Sequence, residues 1–167
     1  MKCYACGEKM KPKKGNYHYT ESGLDNVYID NVIIESCKCG EESVVIPKID
    51  ELHAVIANLL LHKKTPLLGK EVRYLRKEMG LSGVDLGKLL GISNVSISRW
   101  EHGEEPVGPQ SERLVRVIYV QLMQERCKSV FPGVLPLLEE IKLKAGKKEI
   151  NLTIKMPIKR QKAALAC

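Results

Sequence analysis

Residues 92–103 read ISNVSISRWEHG. The stretch is bounded like a helix: Ser93 can cap its start, and Gly103 stands where a left-handed residue closes one. Its interior, however, carries serines and an asparagine, which are indifferent helix formers. If Ile97 and Trp100 turn inward, Asn94, Val95, Ser98 and Arg99 turn outward. The exposed face is then slim and polar, with a single cation.

The flanks repeat the same punctuation. "LGKEVRYLRKEMG" ends at Gly80 and "SGVDLGKLLG" at Gly91, so three short helices follow one another, each stopped by glycine. Ser82 and Asp85 have the spacing of a capping box. Two helices that cross over a short turn need a small residue in the first, a glycine between them and apolar residues on the inner face of the second. Gly87, Gly91 and the set Ile92, Ile97 and Trp100 meet these needs, facing Leu86, Leu89 and Leu90. Val72, Leu75 and Met79 of the preceding helix close the core. The expected unit is a helix-turn-helix. Short side chains let its second helix enter a DNA major groove about 12 Å wide. Asn94 suits adenine, Arg99 guanine and Val95 a thymine methyl, while Ser93, Ser98 and the helix N-terminus suit phosphates. A generic surface helix would carry Glu, Lys and Ala instead. Trp100 is read as core, not as a base-stacking residue.

Composition fits a binding protein without requiring one. The 167 residues allow one or two domains, and 44% hydrophobic residues make the chain globular. Aromatics at 5% argue against a large aromatic ligand pocket. The net charge of +7 is compatible with a polyanionic partner. No apolar run approaches the roughly 20 residues that span a bilayer, so no membrane partner is expected. "MKCYACGEKM" lacks the apolar core of a secretory signal, and a cytoplasmic location is expected. Thiols stay reduced there, so the six cysteines read as metal ligands or bystanders, not disulfides.

Four of them fall in two knuckles, Cys3 and Cys6 in "CYACGE" and Cys37 and Cys39 in "CKCGEE". Two thiolate pairs on opposed loops suit one structural zinc ion, which takes four soft ligands in a tetrahedron. The glycines after Cys6 and Cys39 permit the tight turns that aim backbone N–H groups at sulfur. The second pair is one residue shorter than usual, with His18 as the alternative ligand. A redox reading of Cys-x-x-Cys needs a βαβ context, which is absent. Four thiolates leave no open position for a catalytic water, and no nucleophile, base or paired carboxylates sit together at recognisable spacing, so no enzymatic activity is expected. Cys127 and Cys167 read as inert.

The expected fold class is α+β. A small β-rich zinc-binding domain occupies residues 1–47, where "NVYIDNVIIE" alternates as strands do. A linker helix follows over 48–67, with an apolar stripe at Leu52, Val55, Ile56, Leu59 and Leu60, Asp50 as N-cap, Lys63 and Lys64 at the negative end, and Pro66 as terminator. The stripe covers a core, or else meets a partner. An all-α, five-helix helix-turn-helix domain spans 68–127 and includes "QSERLVRVIYVQLMQERCK". Residues 128–167 form a tail of unassigned role. In it "GVLPLLEEIKLK" reads as a short helix and "EINLTIKMPI" as a strand, with Ile150, Leu152, Ile154, Met156 and Ile158 on one face and Pro157 confining it to an edge or an end.

"CYACGE", "YTESG", "CKCGEES" and "GKEVRYLRKEMGLS…LGKLLGISNVSISRWEHG" together resemble the MqsA (YgiT-type) antitoxins, which join a zinc domain to an XRE (Cro/CI-like) helix-turn-helix. The likeness covers about residues 1–127. It implies an N-terminal half that neutralises a ribonuclease toxin, and a homodimeric C-terminal half that binds palindromic double-stranded operator DNA and represses its own operon. It also implies a structural ion pair between Arg76 and Glu101. The chain departs from the pattern in four places. Val95 stands where the family has asparagine, Gly83 where it commonly has glutamine, the second knuckle is short, and the tail has no counterpart. The competing expectation is a stand-alone XRE-family regulator with a structural zinc domain.

Overall fold

Strand β2 (Val27–Ser36) organises the front half of the molecule, and its sequence shows how. Val27 and Ile29 are buried, then the alternation slips by one residue, and Val32 and Ile34 are buried. Asn31, in the left-handed region at φ 60°, takes up the extra residue. Opposite it in β1 (Lys11–His18) the register shifts between Gly15 and Tyr17. This is a β-bulge, with asparagine supplying the positive φ.

The computed structural model describes residues 1–124 and 150–156. In that range β1 lies antiparallel along the length of β2, with a 3-10 turn (Thr20–Ser22) between them. The other edge of β2 is shared. β3 (Glu42–Val45) pairs antiparallel with Ile33–Ser36, and β4 (Leu152–Lys155) pairs parallel with Val27–Asp30. The expected C-terminal strand thus joins the N-terminal sheet. Ile154 and Met156 are buried there and Leu152 is half-buried, whereas Ile150 is exposed.

Five helices follow the first three strands: α1 (Ile49–Leu61), α2 (Gly69–Glu78), α3 (Gly83–Leu90), α4 (Asn94–His102) and α5 (Pro109–Gln124). Only four of them lie within 68–127; α1 is the fifth. Several local expectations are corrected. Asp50 sits inside the first turn of α1, and the N-cap position belongs to Lys48, which adopts φ 57°. Leu59 is exposed, while Ala57 and Leu61 join Leu52, Ile56 and Leu60 inside. Leu89 also faces solvent. Lys63 does not decorate the helix end but is buried, donating to both carboxylate oxygens of Glu71. The expected short helix at 134–145, Pro157, Ile158, Cys127 and Cys167 lie outside the described residues.

The sheet and the helices share one hydrophobic core, running from Val27, Ile29 and Ile154 through Leu52 and Ile56 to Val72, Leu75, Leu86, Ile97 and Val115. A buried polar clamp joins α1 to the helices behind it. Arg116, fully buried, bonds the Glu112 carboxylate and donates to the carbonyls of Leu60, Leu61 and Thr65. A guanidinium at these terminal carbonyls satisfies acceptors that the helix cannot and meets the negative end of its dipole. Glu112 also accepts the Leu67 N–H, so every member of the clamp has a partner.

Candidate nucleic-acid interface and metal centre

The crossing of α3 and α4 is built on glycine. A Cβ on Gly87 would stand 2.8 Å from the Ile92 carbonyl oxygen, so only glycine lets the turn pass this close. Gly91 and Gly103 close α3 and α4 at φ 68° and 77°. The Ser82 hydroxyl accepts from the Asp85 N–H while the Asp85 carboxylate accepts from the Ser82 N–H, a reciprocal capping box. The Ser82 hydroxyl and then the Ser82 N–H, both donating to the carboxylate, hold the Asp85 carboxyl below the usual carboxylate range. Ser93 caps α4 through the Ser96 N–H.

Ile97 is 1% and Trp100 6% exposed, and they fix the rotation of α4. Ser93, Asn94, Val95, Ser98 and Arg99 consequently all face solvent on one ridge. Arg76 anchors this helix to α2, its Nε and Nη2 lying 2.6 and 2.8 Å from the two carboxylate oxygens of Glu101. The hydrogen bonds to the Glu101 carboxylate raise the Arg76 pKa further above its ordinary value, so the guanidinium stays charged.

Three features of this region have no local signature in the sequence. Gly69, at the start of α2, lies so close to the end of α4 that a Cβ would fall 1.6 Å from the Trp100 carbonyl oxygen. Arg99 is paired with Glu105 at 2.8 Å across the turn after α4. A Cβ on Gly83 would lie 2.5 Å from the Asn94 Oδ1, so the glycine leaves the room that the Asn94 amide occupies. The pairing of Gly83 with Asn94 is spatial, and sequence separation hides it.

The knuckles bring Cys3, Cys6, Cys37 and Cys39 together, all four sulfurs within 4.8 Å of one another. Cys3 Sγ is 3.6 Å from Cys39 Sγ, and Cys6 Sγ 3.4 Å from Cys37 Sγ. A zinc tetrahedron with legs of about 2.3 Å has edges of about 3.8 Å, so the donor set fits that ion in number, chemistry and spacing. Each loop is a turn closed by a left-handed glycine, Gly7 or Gly40. The Cys6 and Ala5 backbone N–H groups hold the Cys3 thiol down at about 7. At Cys6 the Glu8 N–H pulls the same way, but hydrogen bonds with the neighbouring thiols and desolvation prevail and push it up to about 12. A dication would favour all four thiolates at once. Tyr4 ties the knuckles together by donating to Glu41 at 2.5 Å. His18 takes no part; its Nε2 bonds the Asp25 carbonyl and its ring stacks on Tyr28.

The crossing, the caps and the outward ridge define a helix-turn-helix domain. Residues 72–117 match the HTH_3 helix-turn-helix family, and the chain carries a domain of this XRE type. It is 47% identical over 45 residues to repressor protein C2 of Salmonella phage P22, an alignment that takes in 26% of this chain and 21% of that protein. It is 37% identical over 59 residues to the HTH-type transcriptional regulator DicA of Escherichia coli K12, 35% of this chain and 44% of that one. The chain thus spans less than half the length of the curated relatives it matches. No solved structure matches it significantly. Among the described residues no helix is long and apolar enough to cross a membrane.

Proposed function

We propose that the chain is a sequence-specific DNA-binding repressor of the cytoplasm that reads double-stranded operator DNA through Ser93, Asn94, Val95, Ser98 and Arg99. The observation that carries this reading is the inward pinning of Ile97 and Trp100, which presents those five side chains as one ridge. Asn94 and Arg99 supply bidentate base contacts, Val95 an apolar contact, and the two serines contacts to phosphate. Glu105 pairs with the Arg99 guanidinium in the free chain, and a guanine edge takes its place on binding. The names of the two relatives, a repressor and a transcriptional regulator, point the same way.

One structural zinc ion on Cys3, Cys6, Cys37 and Cys39 supplies the cross-link that a small sheet needs to stay folded. Residues 1–47, joined by the strand Leu152–Lys155, form the zinc domain, 48–67 the linking helix and 68–127 the reading domain, with the rest of 128–167 as the tail. The outer face of α5, with Leu114, Val117 and Leu122 exposed, supports a homodimer. A two-fold axis there sets two ridges on a palindrome, with half-sites about 34 Å apart.

The finer reading is an antitoxin of the MqsA type, its zinc half neutralising a ribonuclease toxin and its helical half repressing the shared operon. A four-cysteine sheet joined to a helix-turn-helix fits this reading and equally a stand-alone regulator with a structural zinc domain. Co-purification with a ribonuclease encoded by a neighbouring gene tests that part. The DNA reading is tested by selecting duplexes from a random pool with the full chain. A palindromic site should emerge, and Arg99→Ala should weaken its binding by about 1–3 kcal/mol while relaxing one base position. A pool without enrichment even at low salt overturns the proposal.

A further inference from the structure

The edge of β2 from Asn26 to Asn31 has the features of a receptor for an extended peptide. Its occupant is the chain's own segment 150–156, which carries the four-residue strand β4 and is remote in sequence. The grip comes largely from the receptor and falls on the occupant's backbone. The Asn26 side-chain amide donates to the Ile150 carbonyl and that of Asn31 to the Met156 carbonyl, at 2.5 and 2.7 Å. The Leu152 and Met156 N–H groups return bonds to the Asn26 and Asp30 carbonyls. Asn31 reaches its position because the bulge holds it at positive φ. Backbone contacts accept any extended chain, and selectivity rests with alternate side chains. Here those are Leu152, Ile154 and Met156, with Lys155 in register with Asp30.

We propose that this edge is a strand-addition site, self-occupied by residues 150–156, at which an extended segment of a protein partner displaces that occupant. The partner segment carries apolar residues at three alternate positions and a basic residue beside Asp30. Uncovering the edge leaves a row of unpaired backbone groups on β2, the condition under which a strand from another chain adds. Ile154 and Met156 sit in the core shared with α1 and the helical half, so exchange at this edge is felt by the packing behind the reading domain. The site is defined whether or not the partner is a ribonuclease.

The test uses the full chain and a labelled peptide of residues 149–158. Leu152→Pro removes the bond to the Asn26 carbonyl at a half-buried position, and Ile154→Asp makes the occupant unfit for its pocket. Both variants should bind the peptide at least tenfold more tightly than the unaltered chain, and a scrambled peptide should not bind. Adding Asn31→Gly to Leu152→Pro keeps the left-handed backbone but drops one clamp, and should cost about fivefold in peptide affinity. Equal binding by altered and unaltered chains overturns the proposal. So does collapse of the sheet in both variants, read by far-UV dichroism, because a strand the fold cannot spare is not exchangeable. A chain that forms dimers which the peptide dissociates assigns the edge to a second copy, and the partner proposal falls.

Discussion

The helical half from Gly69 to Gln124 and the sheet in front of it are secured by different means. In the helices the securing groups are close in sequence: Ser82 with Asp85, Ser93 with Ser96, and glycines at the ends of α3 and α4. In the sheet they are far apart. Cys3 meets Cys39, Asn26 meets Ile150, and Asn31 meets Met156. One half adds local caps to its longer-range pair of Arg76 with Glu101, and the other relies on cross-links that close long loops. Such loops carry a large closure entropy, which a metal or a docked strand offsets.

Chelating the zinc ion proposed for the four cysteines is the sharpest way to separate the halves and should have the largest effect. A structural zinc site contributes on the order of 10 kcal/mol, so chelation should strip amide protection from β1 to β3 while α2 to α4 keep theirs. Hydrogen exchange with and without chelator reads this directly. Loss of both halves together would show that the shared core, not the cross-link, governs the sheet.

Breaking the clamp between them comes next. Arg116→Ala leaves Glu112 buried without its cation and orphans the end of α1, at a cost of about 3–5 kcal/mol. A urea midpoint within error of the unaltered chain would remove the clamp from the account. Gly69→Ala, with its overlap on the Trp100 carbonyl, should cost about 3 kcal/mol and lower the helical midpoint. Gly108→Ala is the matched control, since its Cβ would meet nothing nearer than Ser111 Oγ at 4.0 Å.

The smallest effect belongs to the capping box. Asp85 titrates below its ordinary value in the folded chain, so its contribution is present above the unfolded carboxyl pKa and is lost as pH falls through the folded one. Thermal melts taken from about pH 6 down to about pH 2 should show a steeper fall for the unaltered chain than for Asp85→Asn. Parallel curves would deny the box a role in α3.

The same contrast explains what could be read from the sequence. The inward positions of Ile97 and Trp100, the small residue at Gly87 and the caps at Ser82 and Ser93 follow from spacing alone, because helix geometry fixes neighbours at three and four residues. The knuckle cysteines announce themselves by pairing. Leu59 and Leu89 broke the pattern because a stripe drawn on one helix does not say how much of it a neighbour covers. Lys63 leaves the expected helix-end position because its partner, Glu71, belongs to the next helix. The strand at Leu152–Lys155 was legible as a strand, yet nothing local says that its partner is β2. Glu105 beside Arg99 and Gly69 beneath Trp100 are likewise products of the turn after α4 and of the close approach of α2.

Arg116 has one consequence for the molecule at work. Because its guanidinium grips the last carbonyls of α1 and that of Thr65 beyond them from within α5, the front half is bolted at a set bearing and not swung on a tether. Cargo carried on the sheet would ride at a constant angle to the duplex, like an outrigger on a hull.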